Sequence, residues 1–295
     1  MRVVMPKNTP LPEQLSIDGS THQQILYDNS IELLKLAERS AADRGYYLCT
    51  SFGKDSIVIQ RLCDEAGVKY EAHNSHTYID PPELVQFGRN YYPDVIRDKP
   101  RMDIWALILK KGILPMRNIR YCCKVLKEDG GIGRTCVMGI RAEESNRRAK
   151  SWAPWTTRGH DKSELRMFDN DDIAKELHAC VPRAKLTVNP IYYWDSAALW
   201  AFIHDRKMPY CSLYDEGFDR LGCIGCPMAR EKARRAEFKR WPTYYKAFLT
   251  VSQKLLDSGR FPNMNSADAL MEWWLSDNTQ DNPVEGQEVL GDWDD

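Results

Sequence analysis

Apolar and polar residues alternate along this chain in blocks that predict helices and strands in turn. Apolar side chains recur near helical spacing over residues 21–44, and Gly45 then ends that helix. Residues 46–50 form a short apolar run typical of a buried strand, and a second helix runs from Ile57 and stops at Gly67. The later elements predicted in the same way are a strand over 68–76, a helix opened by residues 81–83, a helix over 103–111, strands over 135–140 and 186–190, a helix over 195–206 and a helix-rich stretch over 230–277.

This alternation predicts an α/β fold. Strands that alternate with helices at such spacing form a parallel sheet with helices on both faces. Residues 1–20 are interrupted by Pro and polar residues and predict an extended lead-in. The stretch from about Ser276 is acidic and poor in apolar residues, which is typical of a mobile tail.

Composition excludes several classes of protein. The 295 residues carry a formal net charge of −1, with 43 % hydrophobic and 28 % charged residues, which are ordinary values for a globular protein and exclude a disordered chain. No apolar run is long enough for a transmembrane helix, and the first residues lack the apolar stretch of a secretory signal. We therefore expect a cytoplasmic protein with no membrane partner, whose nine cysteines are reduced thiols or metal ligands.

A polar turn, SFGKDS over residues 51–56, separates the first strand from the second helix. Consecutive N–H groups and the positive end of a helix dipole make such a turn a site for phosphate. Gly53 lets the backbone approach a ligand closely, and Lys54 adds charge. Ser51 and Ser56 can donate hydroxyl hydrogen bonds. The spacing of Gly and Lys is not that of a Walker motif, and the alternative is an ordinary strand–helix turn with polar residues.

An arginine-rich run, GIRAEESNRR over residues 139–148, follows the strand predicted at 135–140. Arginine suits bidentate recognition of phosphate or sulfate, and the C-terminal end of a strand is where open α/β sheets bind ligands. Without the other clusters, a solvated and salt-bridged helix start would be the preferred interpretation.

Four cysteines form the third cluster. Cys122 and Cys123 are adjacent, whereas Cys223 and Cys226 form a C-x-x-C turn that Pro227 follows. Soft thiolates hold zinc or an iron–sulfur cluster, and adjacent cysteines are awkward for tetrahedral zinc. Iron–sulfur is therefore preferred over zinc, and the alternative is a redox-active C-x-x-C with an unrelated buried pair. Cys211 is either a spare thiol or a sulfur carrier.

In this order, the three clusters resemble the phosphoadenosine phosphosulfate (PAPS) reductase family of the PP-loop, or adenine nucleotide α-hydrolase-like, superfamily. The resemblance covers residues 46–229 and is specific in the joint order of its segments, which are SFGKDS, HTYIDPPEL, GIRAEESNRR, NPIYYWDSAALWAFI and PYCSLYDEGFDRLGCIGCPMA. It implies a Rossmann-like (HUP-type) sheet. The implied domains are an N-terminal lead-in and helix over 1–45, a nucleotide-binding and iron–sulfur domain over 46–230, and a helical extension with an acidic tail over 231–295.

The resemblance also implies a set of site residues. A [4Fe-4S] cluster is implied on Cys122, Cys123, Cys223 and Cys226, and catalytic roles fall on Lys54, Asp55 and Arg141. The residues implied to bind an adenine nucleotide are Ser51, Phe52, Gly53, Lys54, Asp55, Ser56, Asp80, Arg141, Glu144, Ser145, Arg147 and Arg148. Lys54 would stabilise the departing pyrophosphate, and Asp55 or Asp80 would help to hold Mg²⁺.

Two departures from the reductase pattern shape the expected function. Assimilatory reductases carry a catalytic cysteine in an E-C-G-x-H segment, whereas no cysteine follows Cys226 in this sequence. The Lys54-Asp55-Ser56 sequence more closely resembles members that split ATP into AMP and pyrophosphate. The cluster-bearing examples of these members include the DNA phosphorothioation sulfurtransferases and some tRNA thiolation enzymes. We therefore expect an iron–sulfur ATP pyrophosphatase in sulfur transfer, with DNA phosphorothioation as the favoured pathway.

The expected cofactors are the [4Fe-4S] cluster, ATP and Mg²⁺. The expected partners are a cysteine desulfurase-type sulfur donor, and DNA or other subunits of a modification complex. One alternative is a PAPS or adenylyl-sulfate reductase that takes its thiol from Cys211 or from another protein. The other alternative is a non-catalytic nucleotide-sensing subunit of a modification complex.

Overall fold

A computed structural model of the chain describes residues 21–41, 43–128, 130–158 and 185–281. The predicted lead-in over 1–20 lies outside these residues, as does most of the predicted acidic tail. The described part divides into two compact units. Of the described residues, the first unit takes in those up to 74, within 83–97 and within 130–220, and the second takes in those within 75–82, within 98–129 and from 221 to 281.

The described residues form a six-stranded sheet in the order β3-β2-β1-β4-β6-β5. Its strands are β1 (Tyr46–Cys49), β2 (Tyr70–Ser75), β3 (Ile96–Asp98), β4 (Cys136–Val137), β5 (Trp155–Arg158) and β6 (Lys185–Val188). β1 pairs in parallel with β2 and β4, and β4 pairs in parallel with β6. β5 runs antiparallel to β6, which the sequence pattern does not predict. The predicted α/β class with a mostly parallel, Rossmann-like sheet is confirmed.

Eleven α-helices occur in the described ranges, together with short 3₁₀ turns. They are α1 (His22–Ala37), α2 (Lys54–Ala66), α3 (Pro82–Tyr91), α4 (Ile104–Lys111), α5 (Tyr121–Cys123), α6 (Asn146–Ser151), α7 (Ser196–Asp205), α8 (Glu231–Arg240), α9 (Pro242–Asp257), α10 (Ala267–Leu275) and α11 (Asp277–Asp281). None of these helices is both long enough and apolar enough to cross a membrane.

Capping side chains explain where several helices begin and end. Thr21, Asp103 and Asp195 each accept the backbone N–H of the third residue of the helix that follows. Gly67 ends α2 in the left-handed region, with φ of 69°, where a side chain would be strained. α2 begins at Lys54, three residues before the predicted Ile57, because Gly53 is its N-cap.

One predicted strand is shorter in the structure. The sequence predicts a strand over 135–140, whereas β4 spans Cys136–Val137. The reason is close packing beyond the strand: a Cβ atom on Gly139 would lie 3.1 Å from backbone and side-chain atoms of Asp55 at the start of α2. The chain leaves the sheet there, and the arginine-rich run begins against Asp55 of the polar turn.

The first unit is built around β1 and the inner side of α2. Leu48, Ile57 and Ile59 are at most 1 % exposed, so the strand before the polar turn and the helix after it are both anchored in the core. The Tyr46 hydroxyl donates a hydrogen bond to the Leu34 carbonyl (2.6 Å), which ties α1 to the same strand. The polar turn is therefore held between two rigid elements.

Aromatic rings form the core of the second unit. Phe248 of α9 stacks on Trp274 of α10, with ring centroids 5.0 Å apart, and Phe238 of α8 meets Phe248 edge to face. Arg234 is fully buried, and its guanidinium donates to the carbonyls of Trp274 and Leu275 at the C-terminal end of α10. A cation at that end of a helix is favourable because it faces the negative end of the dipole.

Candidate functional site

The polar turn of the first unit is fixed by its own side chains. The Ser56 Oγ accepts the Ser51 N–H (3.2 Å) and donates to the Gly53 carbonyl (2.9 Å), which closes the turn onto the start of α2. The Phe52 N–H donates to Thr50 Oγ1 (3.2 Å). We call residues 51–56 the phosphate-type loop. Its shape is set before any ligand arrives.

Phe52 occupies an unusual position in this loop. Its φ is 60°, in the left-handed region that non-glycine residues rarely adopt, and its side chain is 3 % exposed. The ring packs directly on Gly88 of α3, where an added Cβ would come within 2.6 Å of two ring atoms. The absent side chain at Gly88 therefore makes room for Phe52, and the packing holds the strained backbone.

Three consecutive backbone N–H groups lie at the junction of the loop and α2. Within the described residues, the N–H groups of Gly53 and Asp55 have no hydrogen-bond acceptor. The Lys54 N–H between them donates to the Tyr214 hydroxyl (2.8 Å). Unpartnered N–H groups at a helix N-terminus are suited to an anion.

The side chain of Lys54 is buried at this junction, with 7 % exposure. Its ammonium donates to the Asp219 carbonyl (2.5 Å), lies 5.3 Å from the centre of the Tyr214 ring and is 4.0 Å from the Asp55 carboxylate. A buried ammonium is stable only with such partners. The arrangement places a positive charge next to the unpartnered N–H groups.

Asp55 is joined to the arginine-rich run. The Arg141 Nε donates to Asp55 Oδ1 (2.6 Å), and the same guanidinium pairs with Glu143 (2.6 Å). Burial alone would lower the pKa of Arg141, but the carboxylates of Asp55, Glu143 and Glu144 outweigh burial and raise it. Arg141 is 4 % exposed, so it holds Asp55 in place from within the unit.

The rest of the run forms the short helix α6 and its entry. Ser145 caps α6 by accepting the Arg148 N–H (3.1 Å), and the Arg148 guanidinium pairs with Glu144, which also accepts the Arg141 N–H (3.1 Å). Burial lowers the pKa of Arg148, and the charge of Arg220 adds to that effect. The side chain of Arg147 lies outside the described part of the structure.

The four clustered cysteines all belong to the second unit and are half-buried. Cys122 and Cys123 end the short helix α5, which continues as a π-helical turn over Lys124–Glu128. Cys223 and Cys226 form a turn closed by the Cys226 N–H on the Cys223 carbonyl (3.2 Å). π-helical turns are rare and often mark functional sites.

The four thiols influence one another, which means that they lie near each other. The Cys122 thiol donates to Cys123, so the pKa of Cys122 is raised and that of Cys123 is lowered; charges on Cys226 and Cys223 raise the pKa of Cys122 further. The Arg120 guanidinium contacts the Cys123 sulfur (3.5 Å). The charge of Cys223 raises the pKa of Lys127, on the π-helical turn.

Two further side chains hold the C-x-x-C turn. Gly225 has φ of 72°, and its N–H donates to the Glu237 carboxylate of α8 (2.7 Å). The Arg117 guanidinium donates to the carbonyls of Pro227 and Ala229 and to the carboxylate of Asp277. In the described ranges, no group of three or more His, Cys, Asp or Glu side chains is arranged to hold a metal ion.

Two remaining candidate residues have clear placements. The Asp80 carboxylate accepts the Thr77 N–H (3.1 Å) and lies near Lys127, within the second unit. The Cys211 thiol is 1 % exposed in the first unit, and burial raises its pKa. A buried thiol with a raised pKa is a poor nucleophile.

Some site residues were not singled out by sequence reasoning. Tyr214 and Asp219 lie in the quoted PYCSLYDEGFDRLGCIGCPMA segment, but their contacts with Lys54 join residues about 160 positions apart. Asp219 binds Lys54 through its backbone carbonyl, so the residue type at this position does not predict the contact. Glu237 lies on a strongly charged helix, so its sequence context does not distinguish it from the solvent-exposed charged residues around it.

Comparison with curated proteins finds distant relatives. Adenosine 5'-phosphosulfate reductase of Staphylococcus haemolyticus is 23 % identical over 252 residues, which cover 80 % of this chain and 90 % of that protein. An uncharacterized protein of Methanocaldococcus jannaschii is 29 % identical over 207 residues, which cover 64 % of this chain and 37 % of that protein. The chain thus spans well under half the length of the archaeal relative.

Comparison with solved structures finds partial overlaps. A PAPS reductase from Candida auris in complex with phosphate has a TM-score of 0.46 and 18 % identity, over 71 % of this chain and 96 % of the other. A Candida glabrata FMN adenylyltransferase has a TM-score of 0.45 and 14 % identity, over 69 % of this chain and 62 % of the other.

The family itself is shown by a match to a family model. The model for the phosphoadenosine phosphosulfate reductase domain matches residues 45–229, which include the phosphate-type loop, the arginine-rich run and all four clustered cysteines. This match covers more than half of the chain. The protein therefore belongs to the phosphoadenosine phosphosulfate reductase domain family.

Proposed function

We propose that this protein is an iron–sulfur ATP pyrophosphatase that adenylates an acceptor for sulfur transfer. The observation that carries the proposal is the junction of the phosphate-type loop and α2. There, the unpartnered N–H groups of Gly53 and Asp55 lie beside the buried ammonium of Lys54 and the carboxylate of Asp55. N–H groups and an ammonium suit phosphate oxygens, and a carboxylate suits the Mg²⁺ that accompanies a triphosphate.

The proposed reaction has two displacements. An acceptor oxygen forms a bond to the α-phosphorus of ATP, and the bond between that phosphorus and the bridging oxygen to the β-phosphate breaks, which releases pyrophosphate. The outer sulfur of a persulfide then forms a bond to the phosphorus of the activated acceptor, and AMP leaves with the acceptor oxygen. A thiol cleaves the S–S bond of this adduct, which leaves the phosphorothioate and a disulfide. Neither displacement changes the oxidation state of phosphorus.

The roles in the first displacement fall on the phosphate-type loop, two carboxylates and the arginine-rich run. The phosphate-type loop holds the β- and γ-phosphates, and Lys54 stabilises the charge that develops on the departing pyrophosphate. Asp55 or Asp80 holds Mg²⁺. The cations of the arginine-rich run, Arg141 with Arg147 or Arg148, neutralise the phosphate of the activated acceptor.

The second unit offers four cysteine thiols, the ligand type that a [4Fe-4S] cluster takes, although the described side chains are not arranged to hold a metal ion. Four half-buried thiols perturb one another, Cys123 favours the thiolate that iron requires, and Arg120 and Lys127 supply positive charge beside them. We propose Cys122, Cys123, Cys223 and Cys226 as the ligands. The cluster, when bound, would supply a site that carries or polarises the incoming sulfur.

The acceptor that we propose is a DNA phosphodiester. The resemblance to cluster-bearing DNA phosphorothioation sulfurtransferases supports this choice, and a diester oxygen is a suitable nucleophile for the first displacement. The sulfur would come from a cysteine desulfurase-type protein. Other subunits of a modification complex would present the DNA.

A second candidate function is supported by the relatives. The Staphylococcus haemolyticus protein is named as an adenosine 5'-phosphosulfate reductase and aligns over most of both chains. Sulfate reduction needs a thiolate that attacks the sulfate sulfur. Cys211 is buried, which favours ATP cleavage over reduction.

The two functions are separated by sulfite release. With adenylyl sulfate or PAPS and thioredoxin present, we expect no sulfite, because the described thiols outside the cluster ligands are buried, apart from the half-buried Cys49 at the end of β1. Sulfite is measured after anaerobic incubation, with Cys211→Ser as the matched variant. Robust sulfite release by the wild type that disappears in Cys211→Ser would establish the reductase instead.

Lys54→Ala tests the loop. We expect the rate constant for pyrophosphate release to fall about 10²–10³-fold while ATP affinity falls less, because the ammonium acts mainly on developing charge. Arg61→Ala is the control, since it removes a cation from the exposed face of the same helix α2. Equal losses in affinity and rate would show that Lys54 only binds.

A further inference from the structure

Tyr214 occupies the centre of the row of N–H groups at the phosphate-type loop. Its hydroxyl accepts the Lys54 N–H at 2.8 Å, between the unpartnered N–H groups of Gly53 and Asp55. A Cβ on Gly53 would lie 3.3 Å from the same oxygen, so the phenol stands directly against the loop. Trp200 packs against the Tyr214 ring edge to face, with the ring centroids 5.2 Å apart, and so helps to fix the position of the phenol.

The hydroxyl has a proton left to donate. A phenol both accepts and donates, and its accepting side is engaged by the Lys54 N–H. No acceptor for the Tyr214 proton exists among the residues that the structure describes. The partly buried Tyr214 therefore presents an O–H donor at the point where its oxygen occupies the backbone N–H of Lys54.

We infer that the Tyr214 hydroxyl donates a hydrogen bond to the phosphate held by the loop. The Lys54 N–H is occupied by the Tyr214 oxygen, and the Tyr214 O–H takes its place as a donor to the phosphate. The Gly53 N–H, the Tyr214 O–H and the Asp55 N–H then form one continuous row of donors. Hydrogen bonds in series polarise one another, which strengthens the outer donor toward an anion. The inference rests on the proposed function only in placing phosphate at this loop.

The segment that carries Tyr214 is suited to this role. Tyr214 ends a 3₁₀ turn over Ser212–Tyr214, and five residues later the Asp219 carbonyl accepts the Lys54 ammonium. Both nitrogens of Lys54 thus bind one short segment. This double attachment fixes the hydroxyl relative to the loop. The entropic cost of orienting its O–H toward a bound phosphate is therefore small.

The test is the affinity for inorganic pyrophosphate with Mg²⁺, measured by calorimetry on the full chain prepared anaerobically. Tyr214→Phe keeps the ring and removes the hydroxyl, and we expect its affinity to fall about tenfold, as for a hydrogen bond to a charged group. Tyr210→Phe is the matched control, because Tyr210 packs on the same Trp200 ring but donates to Asp215. Its affinity should equal that of the wild type.

A purely structural role for Tyr214 would lower the unfolding temperature without pyrophosphate and leave the affinity unchanged. Unchanged affinity in Tyr214→Phe overturns the inference. Tighter binding also overturns it, because the hydroxyl would then be a competitor for the Lys54 N–H. Weaker binding in a protein that fails to cleave ATP supports the inference and contradicts the proposed function. Absence of pyrophosphate binding by the wild type contradicts both.

Discussion

Cys226→Ser is expected to lose its iron and its brown colour. Wild-type protein prepared anaerobically should contain about four iron and four sulfide ions per chain, as a cubane held by four thiolates requires. A serine hydroxyl stays protonated at neutral pH and is a poor substitute for a soft thiolate. Iron and sulfide analysis with the visible absorption spectrum measures the loss.

The same experiment reports on the fold of the second unit. Cluster binding and folding are coupled, so Cys226→Ser should also unfold at a lower temperature. Cys211→Ser is the matched control, because it removes a thiol outside the four proposed ligands and should keep full iron content. A colourless wild-type protein that carries one zinc ion would contradict the assignment, as would Cys226→Ser with unchanged iron.

Gly88→Ala is expected to weaken nucleotide binding although alanine favours helices. Gly88 lies inside α3, where alanine is about 1 kcal/mol better than glycine by propensity. The new Cβ would come within 2.6 Å of the Phe52 ring, which fills a closed space and must move. Phe52 lies between Ser51 and Gly53, so its movement displaces the loop. We expect ATP affinity to fall about tenfold or more, equal to about 1.4 kcal/mol.

Two further variants separate this effect from general destabilisation. Asn90→Ala makes a helix-favouring change at an exposed position of α3 and should leave ATP affinity unchanged. Phe52→Leu combined with Gly88→Ala removes ring atoms that meet the new Cβ and should recover part of the affinity. The iron content should stay constant throughout. Wild-type affinity in Gly88→Ala would show that the Phe52 contact does not control the loop.

The spacing of apolar residues and the capping residues correctly predicted several element boundaries. The buried strand before the loop, the stop of α2 at Gly67 and the start of α4 after Asp103 all follow from apolar spacing and capping residues. The order of motifs also led to the family. The early start of α2 was missed because Lys54 and Asp55 are polar, although Gly53 caps the helix.

Long-range packing explains what the sequence did not predict. The Gly88 contact with Phe52, the Tyr214 contact with Lys54 and the Glu237 contact with Gly225 each join segments that no local pattern links. The antiparallel strand β5 depends on its pairing with β6, which again is tertiary. These contacts shape the loop and the C-x-x-C turn, so the finer geometry of the site required the structure.

ATP cleavage at the phosphate-type loop can be measured against sulfate reduction in one set of samples. Anaerobically purified protein is incubated with Mg²⁺ and, in parallel, with ATP, adenylyl sulfate or PAPS, and AMP, pyrophosphate and sulfite are quantified in the same samples. A duplex DNA acceptor and a persulfide donor are added in a second series, since an acceptor often completes such a site. In the series that contains the acceptor and the sulfur donor, we predict equal amounts of AMP and pyrophosphate from ATP, and we predict no sulfite from any nucleotide. Sulfite from adenylyl sulfate or PAPS, with ATP left intact, would show a reductase instead of an ATP pyrophosphatase.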